Sequence, residues 1–292
     1  MMAIDEVDVA LVVLTYNRRQ QVLHTLGTLL ENCHDVPIWV VDNGSRDGTA
    51  RAIAEHYPGI RVVALPRNLG AAARNYGAQA ACARYIAFCD DDTWWAPGAL
   101  ARGVAILEAQ PGLAVLTARI LVGPEEHLDP TSAVMADSPI PNTMHFVGSE
   151  VAGIMAGASI MRRDAFLAAG GYEPRFFIGG EERLLALDLM AAGWHLGYAP
   201  ELVVHHFPSR LRDVTGRRRL LVRNALWCAW LRRSARDAWW ETRHILHGVL
   251  HDAMLLSGLA AALPGLPWLL ANRRPVPLSV EERLRLLEGR TA

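Results

Sequence analysis

Three consecutive carboxylates, Asp90-Asp91-Asp92, directly follow the apolar run 85–89. Like charges packed beside an apolar strand repel one another and are costly unless a cation sits with them. In extended geometry Asp90 and Asp92 face one way and Asp91 faces back. Two carboxylates on one side suit Mg²⁺ or Mn²⁺, which would keep positions open for phosphate oxygens. Other polar groups close other apolar runs: Thr15-Tyr16-Asn17 ends the first and Asp42-Asn43 the second. Asn68-Leu69-Gly70 leads into three alanines and Arg74, so small residues permit close approach of a ligand at a helix start. The spacing there is not GxGxxG, which disfavours a dinucleotide fold.

Periodicity predicts the elements that must position these residues. Apolar runs at 7–14, 37–41, 60–65, 85–89 and 113–121 read as strands, and 18–31, 47–56, 71–83 and 97–109 as helices. Continuous rather than alternating apolar strands, joined by helices, indicate a mostly parallel sheet covered on both faces. The carboxyl ends of such strands converge on one crevice. Three polar clusters at three strand ends therefore predict one site, although Asn43 and Asp47 also fit ordinary turn starts. From 122 to 151 the period fails, and four prolines mark a long loop or excursion. Beyond it a strand over 152–161, a helix over 165–169 capped by Asp164 and ended by Gly170-Gly171, a helix over 181–192 and a strand near 198–205 are expected. After Pro208 the chain reads as Arg-rich helix.

The 292 residues carry a net charge of −1, and all 29 basic residues are Arg. Without Lys there is no P-loop lysine, no Schiff base and no lysine general base. A metal ion plus arginine is then the direct way to hold a phosphorylated ligand. Residues 1–207 carry 14 Arg against 23 Asp and Glu, while 208–292 carry 15 against 7. Two regions with different partners follow from that polarity. The four cysteines form no CxxC pair and read as reduced thiols of a cytosolic protein. The acidic N-terminus reads as a first strand rather than an export signal. The uncharged run 253–271 has the length of a membrane span, but Pro264 and Pro267 break it, so a buried or interfacial hairpin is expected.

Taken in order, Thr15-Tyr16-Asn17-Arg18, Val41-Asp42-Asn43-Gly44-Ser45, Asn68-Leu69-Gly70 leading to Arg74-Asn75-Tyr76-Gly77, and Phe88-Cys89-Asp90-Asp91-Asp92 resemble the nucleotide-binding half of family 2 glycosyltransferases. Gly157 to Arg163 and Gly170-Gly171-Tyr172 resemble the stretch that closes the acceptor side. Gly180-Glu181-Glu182, then Ala192-Gly193-Trp194 and His205-His206, are similar to that family's acidic catalytic motif and trailing histidine. The resemblance covers about residues 7–207. It implies a GT-A fold, α/β and Rossmann-like with a mostly parallel central sheet, over 1–207. The nucleotide-binding half would run to about 121 and the acceptor half from about 122, with an Arg-rich α-helical C-terminal extension over 208–292.

The activity implied is an inverting, metal-dependent transfer of one sugar from a UDP- or dTDP-linked donor to an acceptor hydroxyl. Thr15, Asn17 and Asp42 would hold the nucleoside, with Tyr16 against the base. Asn68, Gly70 and Arg74 would approach the diphosphate, and Asp90 and Asp91 would line the same pocket. Asp90, Asp92 and His206 would bind Mn²⁺ or Mg²⁺, with His206 favoured over His205, which alternates to the other side of its strand. Glu182 stands where the family usually has an aspartate general base. Its extra methylene leaves the assignment between Glu182 and Glu181 open, and one of the pair can instead serve the helix start. The absence of QxxRW points to single addition rather than processive synthesis. A catalytically silent nucleotide-sugar or membrane-surface binding protein is the alternative, and a nucleotidyltransferase is disfavoured by the missing lysine. The Arg- and Trp-rich tail from Arg217 to Trp240 would pack on the catalytic domain or meet an anionic membrane surface. No nucleic-acid recognition motif is present. The acceptor is unknown and a homodimer is left open. The expected location is cytoplasmic, with peripheral attachment to the inner face of the membrane as an option.

Overall fold

The computed structural model describes residues 7–208, 214–249 and 253–290. Its strands are β1 (Val7–Thr15), β2 (Ile38–Asp42), β3 (Arg61–Ala64), β4 (Ala83–Asp90), β5 (Thr93–Trp95), β6 (Leu113–Val122), β7 (His127–Leu128), β8 (Ser149–Val151), β9 (Ser159–Arg162) and β10 (His195–His206). The helices are α1 (Arg19–Asn32), α2 (Thr49–His56), α3 (Arg74–Ala80), α4 (Ala99–Ala109), α5 (Pro130–Ala136), α6 (Arg163–Ala168), α7 (Glu181–Ala191), α8 (Val214–Arg232), α9 (Ala235–Val249), α10 (Ala253–Ala262), α11 (Leu266–Asn272) and α12 (Leu278–Leu287). The strands form one sheet in the order β3-β2-β1-β4-β9-β6-β10-β5, with β7 on β6 and β8 on β10. Neighbours from β3 to β4 run parallel, as do β6 and β10, whereas β9 is antiparallel to both β4 and β6 and joins the two parallel blocks.

Near-continuous apolar strands bury both faces, and β1 shows how. Val9, Leu11 and Val13 enter one hydrophobic layer with Val22, Leu26 and Leu29 of α1, Ile53 of α2 and Leu100 and Leu107 of α4. Ala10 and Val12 enter the other, with Ala78 of α3, Phe166 of α6 and Leu184, Leu185 and Leu187 of α7. Leu226 and Trp227 of α8, Ala262 of α10, Leu269 of α11 and Val280 of α12 continue that second layer. The tail is therefore docked on the sheet's α7 side. Arg183 pairs there with Glu241, and Arg232 with Asp188.

Several expectations need correction. The stretch 122–151 is not a structureless loop. It holds β7, β8 and α5, whose N-cap Asp129 accepts from the amides of Thr131 and Ser132 with Pro130 at the first helical position. The strand expected over 152–161 is confined to β9, because a 3₁₀ turn occupies Ala156–Ala158. The helix expected over 71–83 divides into a 3₁₀ turn, Gly70–Ala73, and α3. Strand β5 had no sequence signal. The break expected in the run 253–271 is present, since Leu263–Gly265 divides it into α10 and α11, and no helix among the described residues is long and apolar enough to cross a membrane. Residues 1–6, expected to lead into the first strand, lie outside the described residues.

Candidate functional site

Strand register assembles the site. Thr15 pairs with Asp42 across β1 and β2, and Leu14 pairs with Asp90 across β1 and β4, so three polar strand ends sit side by side. Antiparallel pairing of β5 with β10 sets His206 opposite Thr93, next to the acidic triplet.

The β1 and β2 ends form a hydrogen-bonded floor. Asp42 is buried and accepts from the Ser45 amide at 3.0 Å. Asn17 adopts a left-handed backbone (φ +51°), accepts at Oδ1 from the Arg46 amide and donates its own amide to Ser45 Oγ. Tyr16 beside it is exposed. Asn68 Oδ1 accepts from the Gly70 amide and from Asn43 Nδ2, and Asn43 Oδ1 accepts from the Leu69 amide. Gly70 is forced by space as well as by backbone: at φ +64° a Cβ would lie 1.9 Å from the Phe177 carbonyl oxygen. The Ala71 amide donates to that same oxygen at 2.6 Å. The loop 68–71 thus touches the segment that leads into Glu181.

The acidic triplet departs from the alternation expected of it. Strand β4 ends at Asp90, and the chain turns at Asp91 and Asp92 before β5. Asp91 consequently does not face away from Asp92, since Arg18 Nη1 reaches Asp91 Oδ1 at 2.7 Å and Asp92 Oδ2 at 3.4 Å. Thr15 Oγ1 also donates to Asp91 at 3.0 Å. Burial pushes the Asp91 carboxyl up to about 6, with Arg18 opposing the shift. Asp90 has a different partner, the buried guanidinium of Arg74. Gly157 lets backbone lie against it, because a Cβ there would fall 2.7 Å from Asp90 Oδ2.

The glutamates begin α7, which has Gly180 as N-cap (φ +89°) and no side-chain cap. Half-buried Glu182 accepts from the Ala156 amide at 2.8 Å, one residue before the Gly157 that abuts Asp90. Glu181 is buried, and its Oε2 has no hydrogen-bond partner. Burial, then the charge of Glu182, raises the Glu181 carboxyl to about 7, and burial also raises Glu182. Two other buried polar atoms without hydrogen-bond partners, Arg74 Nε and Tyr172 Oη, belong to the same neighbourhood, with the Arg74 guanidinium 6.0 Å from the Tyr172 ring centre.

His206 Nε2 lies 3.6 Å from Asp92 Oδ1, while His205 turns to Glu126 and stacks on Trp94. One imidazole and one carboxylate, adjacent and largely shielded, fit a divalent ion that completes its shell with phosphate oxygens and water. Among the described residues no three His, Cys, Asp or Glu side chains converge as a metal-holding group. Asp90 is occupied by Arg74 rather than grouped with Asp92 and His206.

Sequence reasoning gave no role to Arg18, Thr25, Ala156 or Phe177. Thr25 donates to the Asp91 carbonyl at 2.7 Å. Arg18 carried a signal in being the first cation after β1, but its partner is 73 residues away. Ala156 acts through its backbone, which no residue type announces.

The profile of glycosyl transferase family 2 matches residues 10–168, ending before Glu181, Glu182 and His206. An N-acetylglucosaminyl-diphospho-decaprenol L-rhamnosyltransferase from Mycobacterium tuberculosis is 26% identical over 231 residues, covering 67% of this chain and 75% of that protein. A putative teichuronic acid biosynthesis glycosyltransferase from Bacillus subtilis, TuaG, is 39% identical over 95 residues, 30% of this chain and 36% of that one. Among solved structures, the mannosyltransferase PcManGT from Pyrobaculum calidifontis, in complex with GDP-Man and Mn²⁺, aligns with a TM-score of 0.59 at 19% identity, over 97% of this chain and 81% of that one. GalNAc-T7 with UDP, GalNAc and Mn²⁺ aligns with a TM-score of 0.62 at 16% identity, over 80% of this chain. This chain spans about half of GalNAc-T7, 49%. The architecture is GT-A-like, and by sequence the chain belongs to glycosyl transferase family 2.

Proposed function

We propose that the protein transfers one glycosyl group, with inversion, from a nucleoside diphosphate sugar of the uridine or thymidine type to an acceptor hydroxyl. The observation that carries this reading is the Ala156-Gly157 segment, which binds the Glu182 carboxylate at one residue and abuts Asp90 at the next. A basic carboxylate is thereby brought to the edge of the pocket formed by the β1, β2 and β4 ends. Thr15, Asn17 and Asp42 line the nucleoside side, with Tyr16 free to lie against the base. Asn68 and Gly70 bring backbone to the diphosphate, and Arg74 meets it by exchanging Asp90 for phosphate oxygen. Asp92 and His206 would hold a divalent ion, which would supply Lewis-acid stabilisation of the departing diphosphate. Glu182 takes the proton of the acceptor hydroxyl as that oxygen attacks the anomeric carbon, and the bond to the diphosphate breaks on the opposite face. Glu181, buried and raised, keeps the pair from carrying two full charges near neutrality.

The test combines nucleotide binding with turnover. UDP, dTDP and GDP are compared by thermal shift with and without Mn²⁺, and a metal-dependent shift with the pyrimidine nucleotides is expected. Glu182→Gln should retain that shift and lose about 10²–10⁴ in turnover. Wild-type turnover in this variant, or no shift with any nucleotide, refutes the reading.

A further inference from the structure

Segment 256–272 is uncharged and, apart from Ser257 and Asn272, apolar, yet only one side of its two helices is covered by protein. Gly258, Ala262, Gly265 and Leu269 turn towards the body of the molecule. A Cβ on Gly258 would strike Val222, one on Gly265 would strike the Trp227 ring, and Trp227 Nε1 donates to the Ala262 carbonyl at 3.0 Å. Opposite them, Leu256, Ala260, Leu263, Pro267 and Leu270 recur at steps of three and four residues and are all exposed. Leu263 and Leu270 are 62% and 78% exposed, and Leu266 widens the stripe. Helices that are apolar all round belong where both sides are buried.

Charge identifies what covers the outer side. No Asp or Glu occurs between Asp252 and Glu281. Exposed Arg274 follows the end of α11, and exposed Arg219 lies on α8 beside α10, its carbonyl 3.1 Å from a Cβ built on Gly258. A second copy of the chain on this face would set arginine against arginine. Lipid phosphates would instead meet the guanidinium groups while the leucines enter the acyl boundary. A membrane span needs about 20 apolar residues, and α10 at 10 residues is of interfacial length. We propose that the outward face of α10 and α11 is a docking surface for an anionic lipid bilayer.

The opposite side of α8 holds the catalytic loop. Leu221 abuts Gly179, and Asn224 Nδ2 donates to the carbonyls of Phe176, Ile178 and Gly179, immediately before Glu181 and Glu182. Two helix layers, α10 and α8, about 20 Å together, thus stand between the docked surface and that loop. Delivery of a membrane-borne acceptor to the glutamates rests on the proposed transfer reaction, whereas docking itself does not.

Co-sedimentation of the full chain with vesicles tests the surface. Binding to phosphatidylglycerol-containing vesicles, and much weaker binding to pure phosphatidylcholine, is expected. Leu263→Glu with Leu270→Glu should lower the bound fraction at least about tenfold without changing the melting temperature, because both side chains are exposed. Arg274→Glu should weaken binding to the anionic vesicles only. Absence of wild-type binding, or wild-type binding by the leucine double variant, overturns the proposal. So does a concentration-dependent dimer that the leucine variant abolishes while vesicles go unbound. A failed nucleotide-binding test would refute the transfer reaction and leave the vesicle result standing.

Discussion

Gly70→Ala is the smallest change that probes how the loop 68–71 governs the glutamate segment. The added methyl would lie 1.9 Å from Phe177 O, 2.5 Å from its carbonyl carbon and 2.8 Å from its Cα, all of them backbone. Restoring an ordinary contact of about 3.5 Å requires a retreat of roughly 1.5 Å. Phe177 already has a left-handed backbone (φ +63°), so it has little conformational room to yield. The retreat also breaks the Ala71 amide bond to Phe177 O. A left-handed alanine costs about 1–2 kcal/mol, and losing that buried hydrogen bond about 1–3 kcal/mol more. The expected destabilisation is therefore about 2–5 kcal/mol, seen as a fall of several degrees in melting temperature. Because residue 177 lies four positions before Glu181, turnover should fall more than nucleotide affinity. Calorimetry, nucleotide titration and steady-state kinetics on the same preparation check this. An unchanged melting temperature with unchanged turnover would show that the close approach constrains nothing.

Other outcomes follow from charge. Asp237 is fully buried; burial pushes its carboxyl up, but hydrogen bonds from Arg285, Ser234 and Arg290 hold it well below the usual range. Its stabilising contribution is present above the ordinary carboxylate pKa and is lost as the pH falls below it. Asp237→Asn should cost about 3 kcal/mol at pH 7, and the deficit measured by denaturant titration should shrink below about pH 4; an equal deficit at both pH values refutes the pairing. In the pH–rate profile, the rising limb of kcat/KM that reports ionisation of Glu182 should lie above the usual carboxylate range, because burial raises that carboxyl. Glu181→Gln removes one of two repelling carboxylates and should move that limb to lower pH; an unmoved limb refutes the coupling.

The parallel strands and their polar ends were legible because period and residue type are local properties. Thr15, Asp42 and Asp90 were placed at strand ends, and the register sets them side by side. What was not legible depended on distant partners. A strand after 152 was expected, but nothing local announces that β9 enters antiparallel between β4 and β6. Strand β5 is only three residues long and directly follows an acidic turn. Helix α5 did carry a signal, Asp129 before Pro130, which four prolines across the stretch obscured. The expectation that Asp91 faces away from its neighbours failed because alternation holds only while the strand lasts. Arg18 has a side chain long enough to bridge Asp91 and Asp92 across 73 residues of sequence, and spacing cannot reveal such a reach.

The single amide of Asn224 closes three carbonyls of the loop before Glu181, and α8 shares one hydrophobic layer with the sheet. Helical tail and sheet should consequently melt as one cooperative unit, with calorimetric and van't Hoff enthalpies in agreement. Removing the chain after residue 207 would strip solvent protection from α7 and leave those carbonyls unsatisfied, so the tail acts as part of the enzyme's folding unit rather than as cargo appended to it.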